Sequence, residues 1–187
     1  MEARIGVPST GRALLATALV GGAIAAVVLG GYAIGGVLTG AAGPPVDVAG
    51  VVRVQPLSGW ELAARFDDPP RVRLTRGSGN LDVVAVPFED SAGELVRRYV
   101  REVLEPEARQ LSISSEVEQV TLESGLPGVR IAYVGLFGKA QAPIEGEVTA
   151  VVSASGDGAV FDAWGSEGVL RYVVDDVRRM IDRAVIT

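Results

Sequence analysis

The strongest constraint on this chain is a run without charge. From Ala13 to Leu38, 26 consecutive residues (ALLATALVGGAIAAVVLGGYAIGGVL) carry no charged side chain. As an α-helix rising about 1.5 Å per residue, the run reaches about 39 Å, more than the roughly 30 Å hydrocarbon core of a bilayer. One membrane-spanning helix over 13–38 is the expectation. Arg4 and Arg12 precede it with Glu2 as the opposing acid, and the first charges after it are Asp47 and Arg53. Positive charge is retained inside, so residues 1–12 should be cytoplasmic and the C-terminal domain extracytoplasmic, held at the cell membrane by a single pass. The competing reading is a cleaved signal peptide, because Thr39-Gly40-Ala41 offers the small residues a signal peptidase accepts. Cleavable apolar regions run only about 7–15 residues, which favours the uncleaved anchor.

Ala18, Gly22, Ala26 and Gly30 recur at every fourth position of this run. On a helix they form a smooth stripe that another backbone could approach, a candidate seam for a helix-mediated homodimer. A Gly/Ala-rich span that simply inserts would carry the same pattern.

Several chemistries are excluded by composition. The chain has no Cys and no His, which removes disulfides, thiolate nucleophiles, lipoprotein anchoring through Cys, and any Ser-His pair. The formal net charge of −6 argues against nucleic acid as a partner. Of the 17 basic residues all but Lys139 are Arg, the bias of a GC-rich bacterial genome.

Residues 39–50 (Gly/Pro-rich, with Pro44-Pro45) are expected to be a short extended linker, and 51–187 one domain with a single core. Extended segments are expected at 51–55, 60–66, 72–76 and 81–88, the last two joined by the turn Gly77-Ser78-Gly79-Asn80. Ser91 and Glu94 match a capping box, so a helix should follow, burying Leu95, Val96, Tyr99, Val100, Val103 and Leu104 until Pro106 interrupts it. Further strands are expected at 115–123, 128–137, 145–155 and 159–165, then a helix over 168–185 with Leu170, Val173, Val174, Val177, Ile181 and Ala184 inward. Its polar face offers Arg171/Asp175, Asp175/Arg179 and Arg178/Asp182 as i,i+4 pairs. The order ββββ-α-ββββ-α, dominated by hairpins, predicts an α+β fold: an antiparallel sheet flanked by helices.

Pro56-Leu57-Ser58-Gly59-Trp60 opening an early strand, the hairpin at 77–80, the mid-chain helix, the late strand ending Phe161-Asp162-Ala163-Trp164, and the terminal helix with Met180-Ile181 together resemble the PsbP/Mog1-like fold over 51–187. The resemblance implies an α/β/α sandwich and an accessory or partner-binding role, with no catalytic residue to carry over. A membrane span departs from the soluble members of that fold.

No Walker or dinucleotide-binding glycine motif is present, and Gly77–Asn80 lies between hairpin strands rather than before a helix. Arg71, Arg73 and Arg76 form a local basic cluster, with Arg71 and Arg73 on one strand face; it suits anionic headgroups or an acidic partner, or is simply a solvated face. Asp67-Asp68, Glu145/Glu147 and Asp175-Asp176 pair carboxylates without a site that would separate their roles. Trp60 and Trp164 are the only tryptophans, and Asp162 shares a strand face with Trp164, so that pair could line a pocket between sheet and helix. The loop from Gly138 to Pro143, uncharged apart from Lys139, is a candidate contact tip.

No catalytic residue, metal or cofactor is expected. The leading reading is a single-pass envelope protein whose exported domain binds or scaffolds a partner protein, with Trp60, Arg71, Arg73, Arg76, Asp162 and Trp164 as candidate contacts. The alternative is an exported lipid- or small-molecule-binding module.

Overall fold

A computed structural model describes residues 42–138 and 142–187. The expected spanning helix 13–38, its seam Ala18, Gly22, Ala26 and Gly30, and Lys139 in the 138–143 loop lie outside the described residues. Among the described residues no helix is long and apolar enough to cross a membrane.

Five strands precede the first helix: β1 (Val46–Val48), β2 (Val52–Val54), β3 (Glu61–Asp67), β4 (Pro70–Arg76) and β5 (Gly79–Pro87). Helix α1 (Ala92–Tyr99) runs on through a π-helical turn, Val100–Leu104, and a short helical turn, Glu105–Glu107. Then come β6 (Ala108–Ile113), β7 (Glu118–Thr121), β8 (Pro127–Phe137), β9 (Ile144–Val152) and β10 (Asp157–Ser166). The chain closes with a 3-10 turn at Leu170–Tyr172, helix α2 (Val174–Asp182) and β11 (Val185–Ile186).

The main sheet is antiparallel throughout, in the order β3-β4-β5-β10-β9-β8-β6, with β7 pairing the other half of β8. Two meanders, β3–β5 and β6–β10, meet where β10 pairs β5. Helix α1 makes the connection between them, crossing β10, β9 and β8. A separate sheet, β1-β2-β11, ties the N-terminal end of the domain to its C-terminus.

The α+β class and the antiparallel sheet agree with expectation; the order ββββ-α-ββββ-α does not hold in detail. Val46–Val48, placed in the linker by its Gly/Pro surroundings, is a strand with both valines buried. The segment 108–113, for which the sequence suggests no element, is edge strand β6, and β11 adds a third unexpected strand. The 168–185 helix is shorter than expected, because the 3-10 turn takes its first residues.

Strand alternation puts apolar residues on both faces, and each face has its own cover. On one side Val72, Leu74, Leu81, Val83, Phe161 and Ala163 pack with Trp60, with the valines of β1 and β2, and with Val177, Met180 and Ile181 of α2. On the other, Val84, Val148, Ala150, Val160 and Ile131 pack under Leu95, Val96 and Tyr99 of α1. Ser91 caps α1, its hydroxyl accepting from the Glu94 N–H at 3.3 Å. The reciprocal half of the expected capping box is absent: the Glu94 side chain pairs with Arg97, and Asp90 takes the Ser91 N–H at 2.7 Å. The expected i,i+4 pairs on α2 also give way. Arg178 reaches Glu147 on β9, while Asp176 takes both Arg76 and Arg179.

Candidate functional site

The sheet face beneath α1 carries charge in its interior. Arg73 of β4, Asp82 of β5 and Asp162 of β10 stand in one cross-strand row, Arg73 opposite Asp82 and Asp82 opposite Asp162. Two like charges in direct cross-strand contact repel, and both acids are buried, at 3% and 4% exposure. The surrounding side chains resolve the conflict. Arg73 grips Asp82 through both oxygens, Nε to Oδ1 at 2.7 Å and Nη2 to Oδ2 at 2.8 Å. Asp162 accepts from the Tyr99 hydroxyl on Oδ2 and from the Tyr133 hydroxyl on Oδ1, each at 2.9 Å.

Burial is the dominant influence on Asp162 and raises its pKa from 3.8 to about 7, against the lowering effect of the two tyrosine hydroxyls and of Arg73. Burial likewise pushes the Tyr99 and Tyr133 phenols well above their ordinary value, with the Asp162 charge adding to the effect. The Arg73 guanidinium is raised by its hydrogen bonds to Asp82.

Tyr133 reaches this row because its neighbour on β9 is Gly146. A Cβ at 146 would lie 2.3 Å from the Tyr133 ring, so glycine there lets the ring lie across the strand. Phe137 meets Tyr133 edge to face, with ring centroids 5.9 Å apart. Trp164 lies two residues beyond Asp162 on the same face, and Arg73 sits over its ring, 5.0 Å from the centroid.

Between this floor and the π-helical turn is a cavity of about 180 Å³, walled by Asp162, Tyr99, Tyr133, Trp164 and Arg73, with Val103, Leu104, Phe137 and Ile144 as its apolar part. Arg71, Asp82 and Glu107 complete the lining. Arg71 stacks over Phe66 at 4.2 Å, and its Nε is buried with no hydrogen-bond partner among the described residues.

Of the six candidate contacts in the sequence, Arg71, Arg73, Asp162 and Trp164 share this cavity. Trp60 and Arg76 do not. Trp60 is buried in the opposite core with the β1 and β2 valines, and Arg76 faces α2, where it pairs with Asp176. Odd and even positions of β4 face opposite ways, which splits Arg76 from Arg71 and Arg73. Sequence reasoning missed Asp82, Tyr99 as a polar group, Tyr133 and Gly146. The available signal was an acid embedded in the otherwise apolar run Leu81–Val86. Among the described residues no group of three or more acidic side chains gathers closely enough to hold a metal ion.

No family model matches the chain, and no curated protein does. Solved structures do. The cyanobacterial PsbP (CyanoP) of Synechocystis sp. PCC 6803 aligns at 16% identity and a TM-score of 0.53, over 75% of this chain and 89% of its own. The Saccharomyces cerevisiae Ran-binding protein Mog1p aligns at 10% identity and a TM-score of 0.56, over 78% and 95%. LpqN of Mycobacterium tuberculosis, described as involved in cell envelope biogenesis, aligns at 14% identity and a TM-score of 0.52, over 79% and 87%. Likeness at these identities is likeness of fold. The domain has the PsbP/Mog1-like fold.

Proposed function

We propose that this chain is a single-pass envelope protein, anchored by 13–38 with its N-terminus in the cytoplasm, whose exported domain binds a membrane or envelope protein without catalysing a reaction. The observation that carries the non-catalytic part is the closure of the buried acid row. Every carboxylate oxygen of Asp82 and Asp162 has a partner inside the domain, so the row reads as a brace that ties β4, β5, β8 and β10 together and to α1 rather than as acid–base machinery. The uncharged run supports the anchor. LpqN lends support for an envelope setting and Mog1p for protein binding on this fold, each as a structural likeness.

The test is purification of the tagged full-length protein in mild detergent, with mass spectrometry of co-purifying chains. A version ending at Ala42 serves as control, since the strands begin at Val46. A stoichiometric membrane protein lost with the domain is the expected result; a clean monomer or homodimer would overturn the partner-binding reading.

The cavity beside Trp164 favours a second reading, a small-molecule module. Its volume of about 180 Å³ falls below the roughly 300 Å³ of the smallest drug-sized pockets, which disfavours a whole lipid there and leaves room for a compact ligand.

A further inference from the structure

Among the described arginines, Arg71 is set apart by a buried Nε without a hydrogen-bond partner. Eight others (Arg73, Arg76, Arg97, Arg98, Arg130, Arg178, Arg179 and Arg183) form ion pairs with carboxylates. Arg71 has neither an ion pair nor a hydrogen bond among the described residues. Its one contact of this kind is the face of Phe66, which holds the guanidinium plane in place. A guanidinium left without a carboxylate beside an apolar interior favours an anionic partner. The side chain also lines the cavity under the π-helical turn, whose far wall of Val103, Leu104, Phe137 and Ile144 is apolar.

Resting on the small-molecule reading above, we propose that this cavity binds a compact organic carboxylate, its two oxygens on Arg71 and its short hydrocarbon part against Phe137, Ile144 and the π-helical turn. The guanidinium matches a carboxylate through two parallel N–H donors, supplied here by its two terminal nitrogens because Nε is shut off from the cavity. Size sets the class: about 180 Å³ equals the liquid volume of roughly six waters, so an acid of about six to eight non-hydrogen atoms fits. Charge sets it too. Asp82, Asp162 and Glu107 line the same space, so a dianion such as a phosphate monoester would meet about twice the repulsion that a single negative charge meets. Arg73 cannot serve in its place, because Asp82 already occupies its fork.

Trp164 supplies the readout. In full-length protein carrying Trp60→Phe, in nonionic detergent, Trp164 is the sole tryptophan, and its fluorescence is titrated with hexanoate, hexanol and hexylamine. The expected result is a saturable response to hexanoate that the other two do not give. Arg71→Lys, which keeps the charge and loses the fork, should weaken it roughly tenfold, and Arg71→Gln should abolish it. Arg76→Gln, on the opposite face, should leave it unchanged. A hexanoate response that hexanol reproduces, or that survives Arg71→Lys and Arg71→Gln in variants with unaltered melting, overturns the carboxylate assignment. Saturable binding of hexanol or hexylamine alone overturns it while the small-molecule reading stands. Silence to all three probes overturns both.

Discussion

Asp82 and Asp162 stand directly opposite each other on neighbouring antiparallel strands, both nearly inaccessible to solvent. Such a pair survives in a folded domain because each acid is answered differently: a bidentate arginine for Asp82, two tyrosine hydroxyls for Asp162. One of those tyrosines, Tyr99, is the last residue of α1, so the row also fixes the helix to the sheet.

The first consequence is a pH dependence. The Asp162 carboxyl titrates near 7 in the folded protein against an ordinary 3.8. Between those values the folded state keeps a proton that the unfolded chain has released, so stability is full below about pH 4, falls as pH rises toward 7, and levels off above it. At 1.36 kcal/mol per unit the whole effect is about 4 kcal/mol. Asp162→Asn, neutral throughout and still able to accept a tyrosine hydroxyl, should remove this fall. Urea unfolding followed by tryptophan fluorescence at pH 5 and pH 8 checks it; equal pH slopes in both proteins would count against the account.

Removing one donor should tell the same story from the other side. Tyr99→Phe leaves Oδ2 of a buried carboxylate without its partner, an expected loss of about 1–3 kcal/mol. The loss should be greater at pH 8, where the carboxylate is ionised, than at pH 5. Combined with Asp162→Asn, the two changes should fall short of additive, which a double-mutant cycle measures.

Arg73→Met should be more harmful than it looks for a half-buried arginine. It strands Asp82 in the interior; breaking a buried pair costs about 3–5 kcal/mol, and the 30% exposure of the Arg73 side chain reduces that to about 2–3 kcal/mol. Replacing both, as Arg73→Met with Asp82→Leu, should recover most of the loss in the melting temperature.

Gly146→Ala places a methyl inside the Tyr133 ring position. The ring must move, with an expected cost of about 2 kcal/mol and a weaker Tyr133–Asp162 hydrogen bond. A fall in melting temperature that is much reduced in an Asp162→Asn background would identify the lost hydrogen bond as part of it.

Local chemistry made much of this fold legible. Gly77 takes the positive φ that the β4–β5 turn requires, Ser91 does cap α1, and Val148 and Ala150 share a face as their alternation implies. Edges and long-range order were not legible. Strand β6 has an exposed, weakly alternating pattern, so nothing in Ala108–Ile113 separates it from a loop. Val46 and Val48 are buried only because β2 pairs beside them and α2 and the β4–β5 hairpin close over the same core, a relationship no local window contains. For the site, residue spacing within a strand was informative and spacing between strands was not. Asp162 and Trp164 share a face through their i,i+2 relation, whereas Trp60 falls on the other side of the sheet. Asp82 and Tyr133 join the row only through the insertion of β10 beside β5.

The proposed placement of the domain is outside the cytoplasm, on an uncleaved anchor. Protease treatment of intact spheroplasts tests it directly, using full-length protein with one epitope before Met1 and another after Thr187. The account predicts that the C-terminal epitope is destroyed while the N-terminal one survives in a membrane fraction that resists carbonate washing. A C-terminal epitope protected until lysis, or a protein released by carbonate, would contradict it.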